Sequence, residues 1–252
     1  CDMSVINTEY IAYGGKLSMG VVRHNDYSSV LKPFGLFSFD MRVLGIETSC
    51  DESAVCVIDA EGGFNTDFRF EVLGNSLISQ ANIHAKYGGV FPNLAKREHA
   101  KNLVPLLEQT LHQSATLCQG VTLTKENAEK LGLLLSREPE LCELLLPFLQ
   151  KYAKPKIDAI AVTVGPGLEP ALWVGINFAR ALSAVWNIPV VAVNHMEGHI
   201  LASLMRYEKE YRVSSIVYGG EIQKFEFPML SLLISGGHTE LVLSKQWQKY
   251  EI

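Results

Sequence analysis

The stretch from residue 157 to residue 193 constrains the fold most tightly. Ile157–Val164 (IDAIAVTV) is a short apolar run, GPGLEP follows as a turn, and Ala171–Trp186 reads as a helix that is apolar nearly all round. Val190–Val193 is a second short apolar run. Strand, helix, strand with short links is a βαβ unit, and such a crossover joins parallel strands of one sheet. A helix that is apolar on nearly every side is sandwiched rather than laid on a surface. The expected class is therefore α/β.

Upstream, Met41 opens a strand, Arg42–Ile46, followed by a polar turn (ETSCDES) and a second strand (AVCVID). Glu71–Gln80 is extended and leads to Gly88-Gly89. A helical run from Asn93 to about Leu111 places Leu103, Val104, Leu106, Leu107 and Leu111 at helical spacing, with Pro105 expected to kink it or mark its start. Leu230–Ile234 is a late strand, turning through Ser235-Gly236-Gly237 into Thr239–Leu243. Two strand–polar turn–strand layouts, one early and one late, suggest two related lobes. The domain expectation is a weakly ordered N-terminal extension over 1–40, a first lobe over 41–229, and the beginning of a truncated second lobe over 230–252. Pro139 and Pro147 cut a Leu-rich segment near 113–156 into short helices, expected as an inserted hairpin on the surface, where insertions are tolerated.

The apolar fraction of 48% over 252 residues suits a globular chain with a substantial core. No apolar run approaches the length that spans a bilayer, and no secretory leader is visible, so no membrane partner is expected. Five scattered cysteines without CxxC spacing argue against a zinc ribbon or a disulfide framework and fit a reducing cytosol. With 22 basic against 27 acidic side chains, the chain lacks the basic excess of a typical nucleic-acid binder. Any RNA contact must come from a local patch or a partner. Lys86, Lys96, Arg97 and Lys101 form the densest positive run outside the insertion, and a solvated helix face explains them equally well.

The sharpest motif is His195-Met196-Glu197-Gly198-His199. Histidines four apart on a helix share one face and can grip one metal ion. Glu197 lies roughly 200° round from His195, off that face, so the general base of a zinc peptidase is missing. In the early turn, three hydroxyls and three carboxylates within Glu47–Ser53 can hold phosphate oxygens, hold a metal or accept a proton, although turn tips are often polar for solubility alone. The late turn, Leu233–Thr239, is glycine-rich and lets backbone N–H groups approach a phosphate, though Gly-Gly hairpins are common.

Taken in order, VLGIETSCDESAV, YGGVFPNLAKREH, AVTVGPGLEPALWVGINFARAL, VNHMEGHI and LLISGGHTEL resemble the TsaD family of tRNA N6-adenosine threonylcarbamoyltransferases, formerly called glycoproteases. The resemblance runs from Met41 to about Leu243, skipping 113–156 and a looser stretch near 207–227. It implies the actin-like ATPase (sugar-kinase-like) fold, with the first lobe and the start of the second present. It further implies transfer of threonylcarbamoyl from L-threonylcarbamoyl-adenylate to N6 of the adenosine 3′ of the anticodon in ANN-decoding tRNAs. His195 and His199 resemble the family's ligands for one divalent metal, iron or zinc. Leu233, Ile234, Ser235, Gly236 and Gly237 resemble its substrate-contacting loop, and Asp51 and Glu52 its catalytic acidic pair. Implied partners are tRNA and TsaB-like and TsaE-like subunits, in the cytoplasm.

Asn93 and Lys96 stand where the family usually has Glu and Ser, and the family continues past Ile252 to an Asp that completes its metal site. The chain alone is therefore expected to be inactive. Two alternatives share the fold: a non-catalytic TsaB-like partner subunit and a kinase-like phosphotransferase. Neither needs the His pair.

Overall fold

The computed structural model describes residues 39–62, 68–121, 123–212, 215–222, 226–234, 239–246 and 249–251. Of the expected N-terminal extension, residues 1–38 lie outside the described residues, as do Ser235, Gly236 and Gly237 of the expected substrate loop.

The first strands form a meander: β1 (Phe39–Glu47), β2 (Glu52–Gly62) and β3 (Arg69–Ser79). A one-turn helix α1 (Ala81–His84) leads to α2 (Pro92–Gln113). Next come α3 (Lys125–Leu134), α4 (Pro139–Lys151), β4 (Ala159–Gly165), α5 (Glu169–Trp186) and β5 (Val190–Asn194). The last elements are α6 (His195–Leu204), β6 (Met205–Arg212), β7 (Ser215–Ile222), β8 (Met229–Ile234), β9 (Thr239–Gln246) and β10 (Lys249–Glu251).

Among the described residues the main sheet runs β5-β4-β1-β2-β3-β7-β6. Its β1-β4-β5 side is parallel, as the βαβ pattern requires, and its other side is antiparallel. β6 and β7 fill the looser stretch and were not foreseen. They form a hairpin that extends the sheet beyond β3. A separate antiparallel sheet, β10-β9-β8, contains the late hairpin.

Strand alternation sorts side chains between two faces. Leu44, Ile46, Val55, Val57, Ile160 and Val162 are buried on the face that carries α2 and α5. α5 packs on β4 and β1 of that face, with α2 beside it and α3 also against it, which explains why its apolar residues run almost all round. α2 runs unbroken through Pro105, whose ring is exposed, so losing one backbone hydrogen bond does not end the helix. Its start is marked by Pro92 at the first turn instead.

The helical hairpin α3–α4 differs from a purely surface insertion. Leu131, Leu135, Leu141, Leu145, Phe148 and Leu149 join the same core cluster as the sheet and α2. Full burial stabilises each such leucine by roughly 1.5–3 kcal/mol before entropy is counted.

The opposite face is lined by small residues. Gly45, Ala54, Cys56, Asn75, Ala161, Thr163 and Val193 border an open cleft of about 210 Å³. This cleft reaches Glu47 at the end of β1. The carboxyl ends of β1, β4 and β5 thus meet at one edge, where ligands of open α/β sheets gather.

Candidate active site

Asn194 sets where α6 begins. Its side-chain oxygen accepts from Met196 N (2.8 Å) and Glu197 N (3.3 Å), satisfying two donors that the first turn leaves free. His195 and His199 then sit one turn apart, with ring planes 84° apart and Nε2 atoms separated by 3.1 Å. Two nitrogens bound tetrahedrally at about 2.0–2.1 Å from one ion lie roughly 3.3–3.4 Å apart, so the spacing suits a shared ion. Glu197 points elsewhere, accepting from Tyr250 Oη at 2.6 Å.

The other ring nitrogen of His195 faces the hairpin. Nδ1 lies 3.3 Å from Glu47 Oε2 and 3.2 Å from Ser49 Oγ. Glu47 also accepts from Ser49 N and from Thr163 Oγ1, each at 2.5 Å. Burial pushes the Glu47 pKa up, but hydrogen bonds from His195, Ser49 and Thr163 outweigh it and bring the carboxyl down to about 2. Glu47 is therefore an anion at neutral pH.

The turn between β1 and β2 is clamped from two sides. On one side Thr48 Oγ1 donates to Ala171 O at 3.0 Å, and Leu168 N donates to Ser49 O at 2.7 Å. A Cβ at Gly167 would meet Ser49 O at 2.5 Å, so the GPGLEP turn can approach only as glycine. On the other side His99 of α2 reaches under the turn, with Nε2 3.1 Å from Cys50 O and Nδ1 2.7 Å from Ser53 Oγ.

Asp51 and Glu52 occupy the same turn, and the hydrogen bonds of His195 run to Glu47, Ser49 and His199 rather than to them. Burial raises the Glu52 pKa, and the neighbouring Asp51 charge raises it further. Burial, then Asp51, push the Cys50 thiol up to about 11, so it is no thiolate nucleophile at neutral pH. Leu233 and Ile234 end β8, the first half-buried and the second 73% exposed.

Sequence reasoning noted Glu47 only as one acid of the turn and did not single out Thr163. Nothing local marks Thr163, because its role exists only once β4 lies beside β1. Among the described residues no group of three or more His, Cys, Asp or Glu is gathered for a metal, so the His pair offers two ligands. In the basic run, Lys96 is engaged by Glu138 (3.4 Å) and Arg137 O (3.2 Å), and Lys101 by Glu98 (3.0 Å). Lys86 and Arg97 are exposed.

Among solved structures, YeaZ from Pseudomonas aeruginosa is 14% identical, with 80% of this chain and 64% of that chain covered and a TM-score of 0.32. An uncharacterised protein described as similar to the peptidase YEAZ from Pseudomonas aeruginosa is 15% identical, covering 80% of this chain and 63% of that chain, at a TM-score of 0.34. The chain thus spans under two-thirds of the length of either. No helix among the described residues is long and apolar enough to cross a membrane. The family model for TsaD, tRNA N6-adenosine threonylcarbamoyltransferase, matches residues 71–123 and 148–252, passing over most of the α3–α4 hairpin. The chain belongs to the TsaD family, and its α/β sheet is that of the actin-like ATPase fold.

Proposed function

We propose that this chain supplies the metal-holding helix and the acidic turn of a tRNA N6-adenosine threonylcarbamoyltransferase in the cytoplasm. The observation that carries the reading is the pair of Nε2 atoms 3.1 Å apart, with the Glu47 carboxylate behind one ring. His195 and His199 would hold one divalent ion, iron or zinc. Such an ion polarises an activated acyl donor when bound.

The chain's own residues have separate tasks. The donor is L-threonylcarbamoyl-adenylate. Adenine N6 attacks its carbamoyl carbon, the bond from that carbon to the phosphate oxygen breaks, and AMP leaves. The proton lost from N6 passes to a carboxylate. Glu52, raised by burial and by Asp51, is a better acceptor than an ordinary surface carboxylate. Leu233–Gly237 would contact the donor, with the two glycines letting backbone N–H groups approach its phosphate. The tRNA is held through its backbone by Lys86 and Arg97, and TsaB-like and TsaE-like subunits complete the assembly.

Metal content and transfer test this together. The chain, purified with iron(II) or zinc, is expected to retain about one ion, and His195→Ala/His199→Ala to retain none. With the family's C-terminal lobe joined in cis, and with partner subunits, adenylate donor and tRNA, nucleoside mass spectrometry should find threonylcarbamoyl-adenosine only when the His pair is unsubstituted. Equal metal content in both would remove the His pair from the site and favour the non-catalytic, TsaB-like reading.

A further inference from the structure

We propose that Glu47 is a positioning residue: it accepts the Nδ1–H of His195, fixes that ring in the Nδ1–H tautomer, and leaves the Nε2 lone pair facing His199. The inference rests on reading His195 and His199 as the ion-holding pair, but its first test needs no ion.

The contacts of His195 decide between the two neutral tautomers. Nδ1 faces Glu47 Oε2 at 3.3 Å and Ser49 Oγ at 3.2 Å, while Nε2 faces His199 Nε2 at 3.1 Å. With the proton on Nε2, the Nδ1 lone pair would point at a carboxylate oxygen. Only the Ser49 hydroxyl could offset that repulsion, in a ring that is 27% exposed. With the proton on Nδ1, the imidazole donates to the anion, and Ser49 is free to turn its own hydroxyl elsewhere. Which ring nitrogen carries the proton is set by the hydrogen bond at the other, and carboxylates behind ligating histidines act this way.

Glu47 is itself immobilised. Ser49 N donates to its Oε1 and Thr163 Oγ1 to its Oε2, so both oxygens are held by the turn and by the adjacent parallel strand. A carboxylate pinned by two donors cannot swing off the imidazole without leaving those donors, on two buried residues, unpaired. Without an ion, His199 donates its Nε2–H across the 3.1 Å gap to His195. A divalent ion shared by both Nε2 atoms would require His199 to carry its proton on Nδ1 instead, a change of tautomer that His195 would not need.

Nitrogen NMR of the imidazoles in the ion-free 252-residue chain, at mildly alkaline pH, reads the tautomer directly. His195 is expected as Nδ1–H, and Ser49→Ala should not change that. Glu47→Leu should move His195 to Nε2–H and weaken zinc binding by about 10–100-fold. Glu47→Gln, which keeps an acceptor, should fall between. An Nε2–H signature in the unsubstituted chain overturns the proposal, whether or not zinc binds. So does unchanged zinc affinity in Glu47→Leu. If the chain takes up no zinc but His195 is Nδ1–H and shifts in Glu47→Leu, the positioning role stands and the metal reading fails. If Glu47→Leu does not fold, the tautomer in the unsubstituted chain decides alone.

Discussion

Acid should weaken this fold through His99, whose proton positions can be assigned from its neighbours. Phe91 N donates to His84 Nδ1 at 3.3 Å, so the His84 proton sits on Nε2 and is donated to Gln80 Oε1 at 3.0 Å. That orients the Gln80 amide so that its nitrogen donates to His99 Nδ1 at 3.3 Å, where Ser53 Oγ also donates at 2.7 Å. His99 Nε2–H then goes to Cys50 O at 3.1 Å. His99 is fully buried, and a second proton on Nδ1 would confront the Gln80 amide hydrogens. Burial lowers the His99 pKa, against the Cys50 carbonyl and the Glu47 and Asp51 charges that raise it, with His84 lowering it further. The sign follows: the unfolded histidine titrates near 6.5, so below that pH the unfolded chain binds the extra proton first. Stability is complete above about pH 6.5 and falls with acid until the lower folded value is reached. The slope approaches about 1.4 kcal/mol per pH unit for one proton. His99→Ala would strand the Ser53 hydroxyl, the Gln80 amide and the Cys50 carbonyl, costing ~3–9 kcal/mol at about 1–3 for each. Urea unfolding between pH 5 and pH 8, roughly spanning the histidine range, should give a steeper acid loss for the parent than for His99→Gln. Parallel pH profiles, or a His99 resonance titrating at or above the ordinary histidine value, would refute the argument.

Gly74→Ala should destabilise the sheet–helix contact by about 1–3 kcal/mol, because its Cβ would meet the Thr110 backbone oxygen of α2 at 2.5 Å and backbone cannot step aside. An unchanged urea midpoint would disprove that fit. Lys86→Glu with Arg97→Glu should weaken tRNA binding and reduce its salt dependence, since these two are the exposed cations of the run. Reversing Lys101, already paired with Glu98, should do less, and equal effects in a filter-binding titration would contradict the assignment.

The parallel half of the sheet was legible because a βαβ unit declares itself through apolar runs and an all-apolar helix. β6 and β7 were not. MRYEKEYR carries charge through its length, as strands at a sheet margin do, and shows no apolar alternation along the chain. The leucine spacing of α3 and α4 announced helices, yet not which surface they would cover, because that depends on α2 and α5 being in place. Pro105 does not mark where α2 begins, for a related reason: a local rule about proline as a helix boundary yields when the ring faces solvent and the rest of a long helix is held by packing. At the site, the His pair was visible as a spacing within one helix. Glu47 stood within a motif already singled out, but its tie to His195 spans 148 positions, and no pattern along the chain encodes that pairing.

That separation also orders how the site is assembled. One winding of α6 brings His195 and His199 together, and a short segment can do this while the remainder of the chain is still searching. The carboxylate behind them arrives only after β1 has paired with β4 and β4 with β5, contacts that close long loops and form slowly. A partly folded chain would therefore carry a loose pair of imidazoles, whereas the completed sheet sets the Glu47 carboxylate behind one of them. On the proposed reading that the pair holds an ion, the strength of that grip becomes a gauge of whether strands far away in sequence have found their places.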